Sequence, residues 1–316
     1  MIVKASGNVK SIFMMRETID KHPALRPPFF SLMPSLPQLK EAPPIGEARE
    51  RELLKDAHSY VYYETPQGPL SAHFFLPPEH NPDAAHLNCI LFLHGGLWDA
   101  SMPTQFVPHC HHFATRGCVA VTVEYRVFNK HRTNPIEAIE DVRMAIGFLK
   151  QNASIIGIDP ERIIVVGAGS GGHLALSSAI LSNEENPEGL DLKPAAVAAY
   201  SSIVDTSNKG VGHDLFPSPQ EAKLHSPLSQ LPVKDLPPCL LLHGRNDRVA
   251  PFEQVTKFAK SYKRKGNQCE LIDFEGAGHT FFNYNTHEQL YELSLNALDR
   301  FLVDLNFLSP EEPLVF

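Results

Sequence analysis

The chain has 316 residues, 43% hydrophobic and 20% charged, a composition that supports a sizeable core and excludes a disordered acidic polymer. Its 36 acidic side chains outweigh 28 basic ones, and the net charge of −8 argues against nucleic acid as a partner, because phosphate binding needs clustered Lys and Arg. No apolar run approaches the ~18 residues of a membrane span, so no membrane insertion is expected.

Residues 1–57 read as a separate arm. Their start lacks a continuous apolar stretch and carries Arg16, Glu17 and Asp20, which speaks against a cleaved signal peptide. Seven prolines between Pro23 and Pro44 preclude a helix or a central strand there, and a short charged helix is expected from Gly46 to about Ala57. Such an arm can wrap the surface or serve as a lid.

Residues 58–316 read as one α/β domain. Ser59–Glu64 and Pro69–Leu76 form an antiparallel pair around the turn at Pro66, Gln67 and Gly68. Near-continuous apolar runs follow at Asn88–Leu93, Cys118–Val123, Arg162–Val166, Ala195–Tyr200, Cys239–Leu242 and Cys269–Phe274. Helical patterns lie between and after them at Pro135–Gln151, Gly171–Ser182, Phe252–Lys265 and Glu288–Asn306. In the first of these Ile136, Ile139, Val142, Met144, Ile146 and Leu149 recur near helical spacing, and Asn134 can cap its start. Strands apolar on both faces and alternating with helices predict a mostly parallel, doubly wound sheet of about eight strands with helices on both sides. Residues 202–236, rich in Ser, Pro, Gly and His, read as an insertion over the carboxyl edge of the sheet, where open α/β sheets bind ligands.

Four segments at strand ends carry the chemistry. His94-Gly-Gly-Leu-Trp98 follows the run ending at Leu93, and its glycines let backbone N–H groups approach a substrate oxygen. Ile163-Ile-Val-Val-Gly-Ala-Gly-Ser-Gly-Gly-His-Leu-Ala175 reads as strand, glycine-dense turn and helix, the layout of a nucleophile elbow. Asp247 lies just beyond the penultimate strand in Leu242-His-Gly-Arg-Asn-Asp247, and His279 lies just beyond the last. Nucleophile, acid and histidine in that order is the chain order of α/β-hydrolase triads.

On these motifs the chain from about Ser59 to Leu308 resembles an α/β hydrolase of the esterase/lipase type. It is most similar to the acetyl-esterase-like branch that includes bifunctional feruloyl and acetylxylan esterases. HGGLW resembles that branch's HGG-x-W, Val123-Glu-Tyr-Arg126 its strand-end E-Y-R, and GHTFFNY (278–284) the surroundings of its histidine. The resemblance implies the α/β-hydrolase fold, a small-molecule ester as substrate and no cofactor.

The elbow departs from the family pattern G-x-S-x-G-G. Aligned through Asp159-Pro160-x-Arg162 upstream and Gly172-His173-Leu174-Ala175 downstream, the nucleophile position is Gly169, within the elbow Gly167, Gly169, Gly171 and Gly172. Glycine has no atom to attack a carbonyl. In one reading the elbow shifts by one residue, so that Ser170 attacks with His279 as base and Asp247 orienting it. In the other the family register holds, and Ser170 supplies only its backbone N–H to an oxyanion hole shared with Gly95 and Gly96. A carboxylic ester hydrolase with an atypical elbow is the leading expectation. A pseudo-hydrolase that binds without turnover, or an acid–base lyase, dehydratase or cyclase using His279, are the alternatives. Trp98, the only tryptophan, is expected to line the substrate pocket, and Glu124 and Arg126 to pair with each other near the sheet edge.

Two competing readings are weak. His109-Cys-His-His112 contains good zinc ligands, but on a helix they do not share one face and no fourth ligand is spaced nearby, so no metal is expected. Gly167–Gly172 follows the wrong strand for a dinucleotide loop. The five cysteines lack CxxC spacing, and Cys89, Cys118 and Cys239 sit in or beside apolar runs, which fits a reducing, cytoplasmic setting.

Overall fold

Central strands that are apolar on both faces set the architecture, seen here in a computed structural model that describes residues 46–83, 86–181 and 189–310. The proline-rich part of the arm lies outside these residues. The described part begins with a short helix at Glu47–Leu53. Eight strands follow: β1 (His58–Thr65), β2 (Gly68–Phe75), β3 (Leu87–Leu93), β4 (Val119–Val123), β5 (Ile158–Ala168), β6 (Ala196–Tyr200), β7 (Cys239–Gly244) and β8 (Cys269–Phe274). The longer helices are α1 (Val107–Thr115), α2 (Pro135–Gln151), α3 (Ser170–Ile180), α4 (Phe252–Lys263) and α5 (Glu288–Asp304).

The strands form a single sheet in the order β1-β2-β4-β3-β5-β6-β7-β8. β1 and β2, and β2 and β4, are antiparallel, and the other neighbours are parallel. Side chains two residues apart share a face. Leu91, Leu93, Val121, Val165, Val197 and Leu241 therefore pack on one side, against Ile139, Val142 and Ile146 of α2, Leu176 of α3 and Phe258 of α4. Ile90, Phe92, Ala120, Ile164, Val166 and Leu240 face the other way, toward Phe113 of α1 and Leu298 and Phe301 of α5. Burial on both faces is why these strands read as continuous apolar runs.

Local chemistry fixes the element ends. Asn134 Oδ1 accepts the Ile136 N–H (2.9 Å) and Glu137 Oε2 accepts the Asn134 N–H (3.0 Å), with Pro135 at the first helical position, so α2 starts where its cap predicts. Met144 departs from the expected buried stripe and is exposed, while Ala138 and Ala145 complete the buried face. Strand β5 runs longer than its apolar core because Ile158 pairs with Leu87 of β3. Between β6 and β7 the chain makes a 3-10 turn at His213–Leu215 and short helices at Pro219–Leu224 and Pro227–Gln230.

The expected Glu124–Arg126 pair does not form. Arg126 turns inward to the fully buried Asp141 of α2, with Nη2 2.7 Å from Oδ1 and the backbone N–H 2.7 Å from Oδ2. Glu124 instead meets Lys130 at 3.0 Å. Both residues lie beyond the end of β4, where strand alternation no longer holds, so 124 and 126 find different partners as the chain turns. No helix among the described residues is long and apolar enough to cross a membrane.

Candidate active site

Parallel register gathers the four motifs at the carboxyl edge. Leu93 pairs with Gly167, Ala168 with Tyr200, Tyr200 with Leu242, and Gly244 with Phe274. The glycine loop, the elbow and the Asp247 and His279 loops thus leave the sheet side by side. The connections run outward in opposite directions from β3 and β5, the switch point at which such sheets form a crevice.

The elbow is tight enough to demand small residues. A Cβ on Gly167 would lie 2.1 Å from Gly171 O, and one on Gly171 would lie 2.2 Å from Leu93 O and His94 O. Gly169 stands at the tip with φ +54° and ψ −113°, a conformation that side chains rarely adopt. A Cβ at this position would point at the imidazole of His279, 3.2 Å from Nε2 and 3.6 Å from Cε1.

Ser170 is the first residue of α3 and is fully buried. Its Oγ lies 3.5 Å from the hydroxyl of Tyr125, which itself donates to His94 O at 2.7 Å. Residue 169 faces His279, and the Ser170 hydroxyl faces Tyr125. A one-residue shift would have to rotate α3 by about 100°, and α3 is buried along its whole length, from Ser170 to Ile180.

His279 and Asp247 meet as their loops suggest. The imidazole Nδ1 donates to Asp247 Oδ2 at 2.9 Å, leaving Nε2 toward the elbow. Asp247 Oδ1 accepts the N–H groups of Val249 (2.8 Å) and Ala250 (2.9 Å). Burial pushes the Asp247 carboxyl up, but the His279 hydrogen bond and charge together with the two amides more than offset it and hold it below its ordinary value. The carboxylate form is what orients and stabilises a protonated imidazole.

The glycine loop departs from expectation at one atom. The Gly95 N–H donates to Gln105 Oε1 at 2.7 Å, so it is already engaged. The Gln105 amide nitrogen in turn donates to Asn283 Oδ1 at 3.2 Å, four residues beyond His279. Gln105 carried no signal in the sequence, because a neutral amide ten residues away from the glycine it binds resembles any loop residue.

These strands and loops have clear counterparts in a solved structure. The apo form of Thermogutta terrifontis esterase 2 is 32% identical, with a TM-score of 0.76, over 82% of this chain and 98% of that one. The chain belongs to the α/β-hydrolase esterase family.

The BD-FAE family model matches residues 74–208 of this α/β-hydrolase, from β2 through the elbow into the insertion. Esterase LipC of Mycobacterium tuberculosis is 28% identical over 61% of this chain and 52% of its own length. The isoprenylcysteine alpha-carbonyl methylesterase ICME of Arabidopsis thaliana is 24% identical over 70% of this chain and 56% of its own. The chain thus spans about half the length of these curated relatives.

Trp98 of this α/β-hydrolase is 2% exposed, with its ring 5.0 Å from that of His173 and 6.3 Å from that of Phe216. The indole is buried, whereas its predecessor Leu97 is exposed. The His109–His112 stretch is dispersed around α1. His109 is buried among Phe92, Phe106, Tyr200 and Tyr291, Cys110 is buried, His111 meets Phe75 edge-on, and His112 pairs with Asp299 at 3.1 Å. Among the described residues no group of three or more His, Cys, Asp or Glu is arranged to hold a metal ion.

Proposed function

We propose that this chain hydrolyses small acyl esters by using the His279–Asp247 dyad to activate water directly, without an acyl-enzyme. The observation that carries the reading is His279 Nε2 aimed at residue 169, the nucleophile position, while Nδ1 is held by Asp247. Water beside Gly169 loses a proton to Nε2 as its oxygen bonds to the ester carbonyl carbon. The carbonyl electron pair moves onto oxygen, which the N–H groups of Gly96 and Ser170 stabilise; neither amide bonds another described residue. Collapse breaks the bond to the alkoxy oxygen, and the imidazolium returns the proton to it, giving acid and alcohol. An oxyanion hole and a positioned base retain acceleration of about 10³–10⁴ when a triad nucleophile is absent.

Small acyl groups are favoured by likeness to the esterase from Thermogutta terrifontis, solved with propionate and with butyrate bound. That enzyme is also solved phosphorylated by paraoxon. Five buried, free thiols support a reducing, cytoplasmic setting.

Paraoxon and a short-chain p-nitrophenyl ester test the mechanism together. The wild-type chain is expected to turn over the ester slowly without a burst, to resist phosphorylation, to keep turnover in Ser170→Ala and to lose it in His279→Ala. Stoichiometric labelling that disappears in Ser170→Ala would restore a serine nucleophile. Tight acyl-ligand binding with no turnover would leave a binding protein.

A further inference from the structure

Asp247 faces a second imidazole, that of His243. His243 lies on β7, four residues before the carboxylate, and is 1% exposed. Its Nε2 is 2.8 Å from Ala250 O and 3.4 Å from Asp247 Oδ2, the same oxygen that accepts the His279 bond. A carbonyl can only accept, so Nε2 carries the proton and the tautomer is fixed by Ala250. Burial keeps the ring below its ordinary pKa and hence neutral at neutral pH; the Ala250 bond and Asp247 raise it, and His279 lowers it.

The geometry points to His243 as a positioning residue for the dyad, its single N–H spanning both ends of the 247–250 turn. That turn is short. Asp247 Oδ1 binds the amides of Val249 and Ala250, but those amides belong to the turn itself and cannot fix it against the sheet. His243 supplies a side-chain tie to the sheet, beside the Asp247 N–H bond to Gly244 O (3.2 Å), since it lies on β7 and pairs with Asp273 of β8. A carboxylate held from a rigid strand keeps Oδ2 in line with His279 Nδ1, as pre-organised sites require. Any contribution to turnover rests on the ester-hydrolase reading; the positioning itself does not.

The test uses the full chain labelled with ¹⁵N-histidine, with His243→Gln retaining an N–H near the Nε2 position and His243→Met filling the volume without one. At pH 7 the His243 ring should be neutral and protonated on Nε2, a measurement on the wild-type protein that does not depend on any variant folding. The downfield proton of His279 Nδ1 should be alike in wild type and His243→Gln, and shifted or broadened in His243→Met. With ester substrate, His243→Met should lose about tenfold in kcat at unchanged KM, and His243→Gln should stay within about threefold of wild type. A charged or Nδ1-protonated His243, an unmoved His279 proton in His243→Met, or equal impairment of both variants would overturn the assignment. Absent turnover in wild type alongside the expected spectra would remove the hydrolase reading and leave the positioning role intact.

Discussion

At residue 169 glycine gives the backbone ease and offers no hydroxyl. With φ +54° and ψ −113°, any side chain there is strained by about 1–3 kcal/mol, and the added Cβ would sit 3.2 Å from His279 Nε2. Gly169→Ser should therefore gain esterase activity by about a hundredfold or more and become reactive to paraoxon. It should also lose about 1–3 kcal/mol in denaturant unfolding. Gly169→Ala separates the two effects, because it carries the same strain without the hydroxyl and should lose stability with no gain in rate. An inert, fully folded Gly169→Ser would refute the register seen here. The flanking motifs identified position 169 from the letters alone, whereas the direction in which it points was beyond them. Small-x-Ser-x-small fits Ser170 as well as the family spacing fits Gly169, and only the packing of α3 separates the two. Gly95 shows a related limit: a glycine after a strand shows that an N–H is available, but not that Gln105 has taken it.

Among the elements, α2 is fastened to the end of β4 by charge as well as by its apolar stripe. Asp141 is fully buried and Arg126 is 6% exposed. Removing Asp141 leaves the buried guanidinium with only the exposed Glu140 carboxylate, 3.0 Å away, as counter-charge. Asp141→Ala should cost about 3–5 kcal/mol by chemical denaturation. Asn134→Ala, which removes the cap of the same helix, should cost only about 1 kcal/mol. A smaller loss in the first than in the second would show that the pair does not anchor the helix. The order and type of the elements were legible because the inner strands of the parallel region are apolar on both faces and the longer helices repeat near every third or fourth residue. The partner of Arg126 was not, since a pairing across fifteen residues of chain depends on how α2 docks. Met144 shows the same limit, as a residue apolar at the right spacing yet placed on the solvent side.

For the whole molecule, buried imidazoles set the response to acid. Burial pushes His94 and His173 down to about 4 and His109 to about 3, against weaker upward effects of the hydrogen bonds to Gly95 O and His225 O at the first two. The unfolded chain, with ordinary values near 6.5, binds more protons than the folded one throughout the interval between those values. Stability therefore falls as pH drops below about 6.5, and each of the three rings costs on the order of 3 kcal/mol by pH 4. Asp247, held below its ordinary carboxylate value, adds a loss at still lower pH, as the medium falls through its folded pKa. Unfolding midpoints should decline steeply between pH 6 and pH 4, in steps of roughly one unit of pH. His109→Phe should flatten that decline and add about 1 kcal/mol at pH 7, because neither ring nitrogen of His109 has a partner among the described residues. An unchanged acid profile in His109→Phe would locate the lability elsewhere.

One neutral amide joins two stretches of chain that lie 178 positions apart, through the Gln105–Asn283 bond. Its other end occupies the Gly95 N–H. Loss of that amide, as in Gln105→Ala, would free the Gly95 N–H and part the two stretches at one stroke.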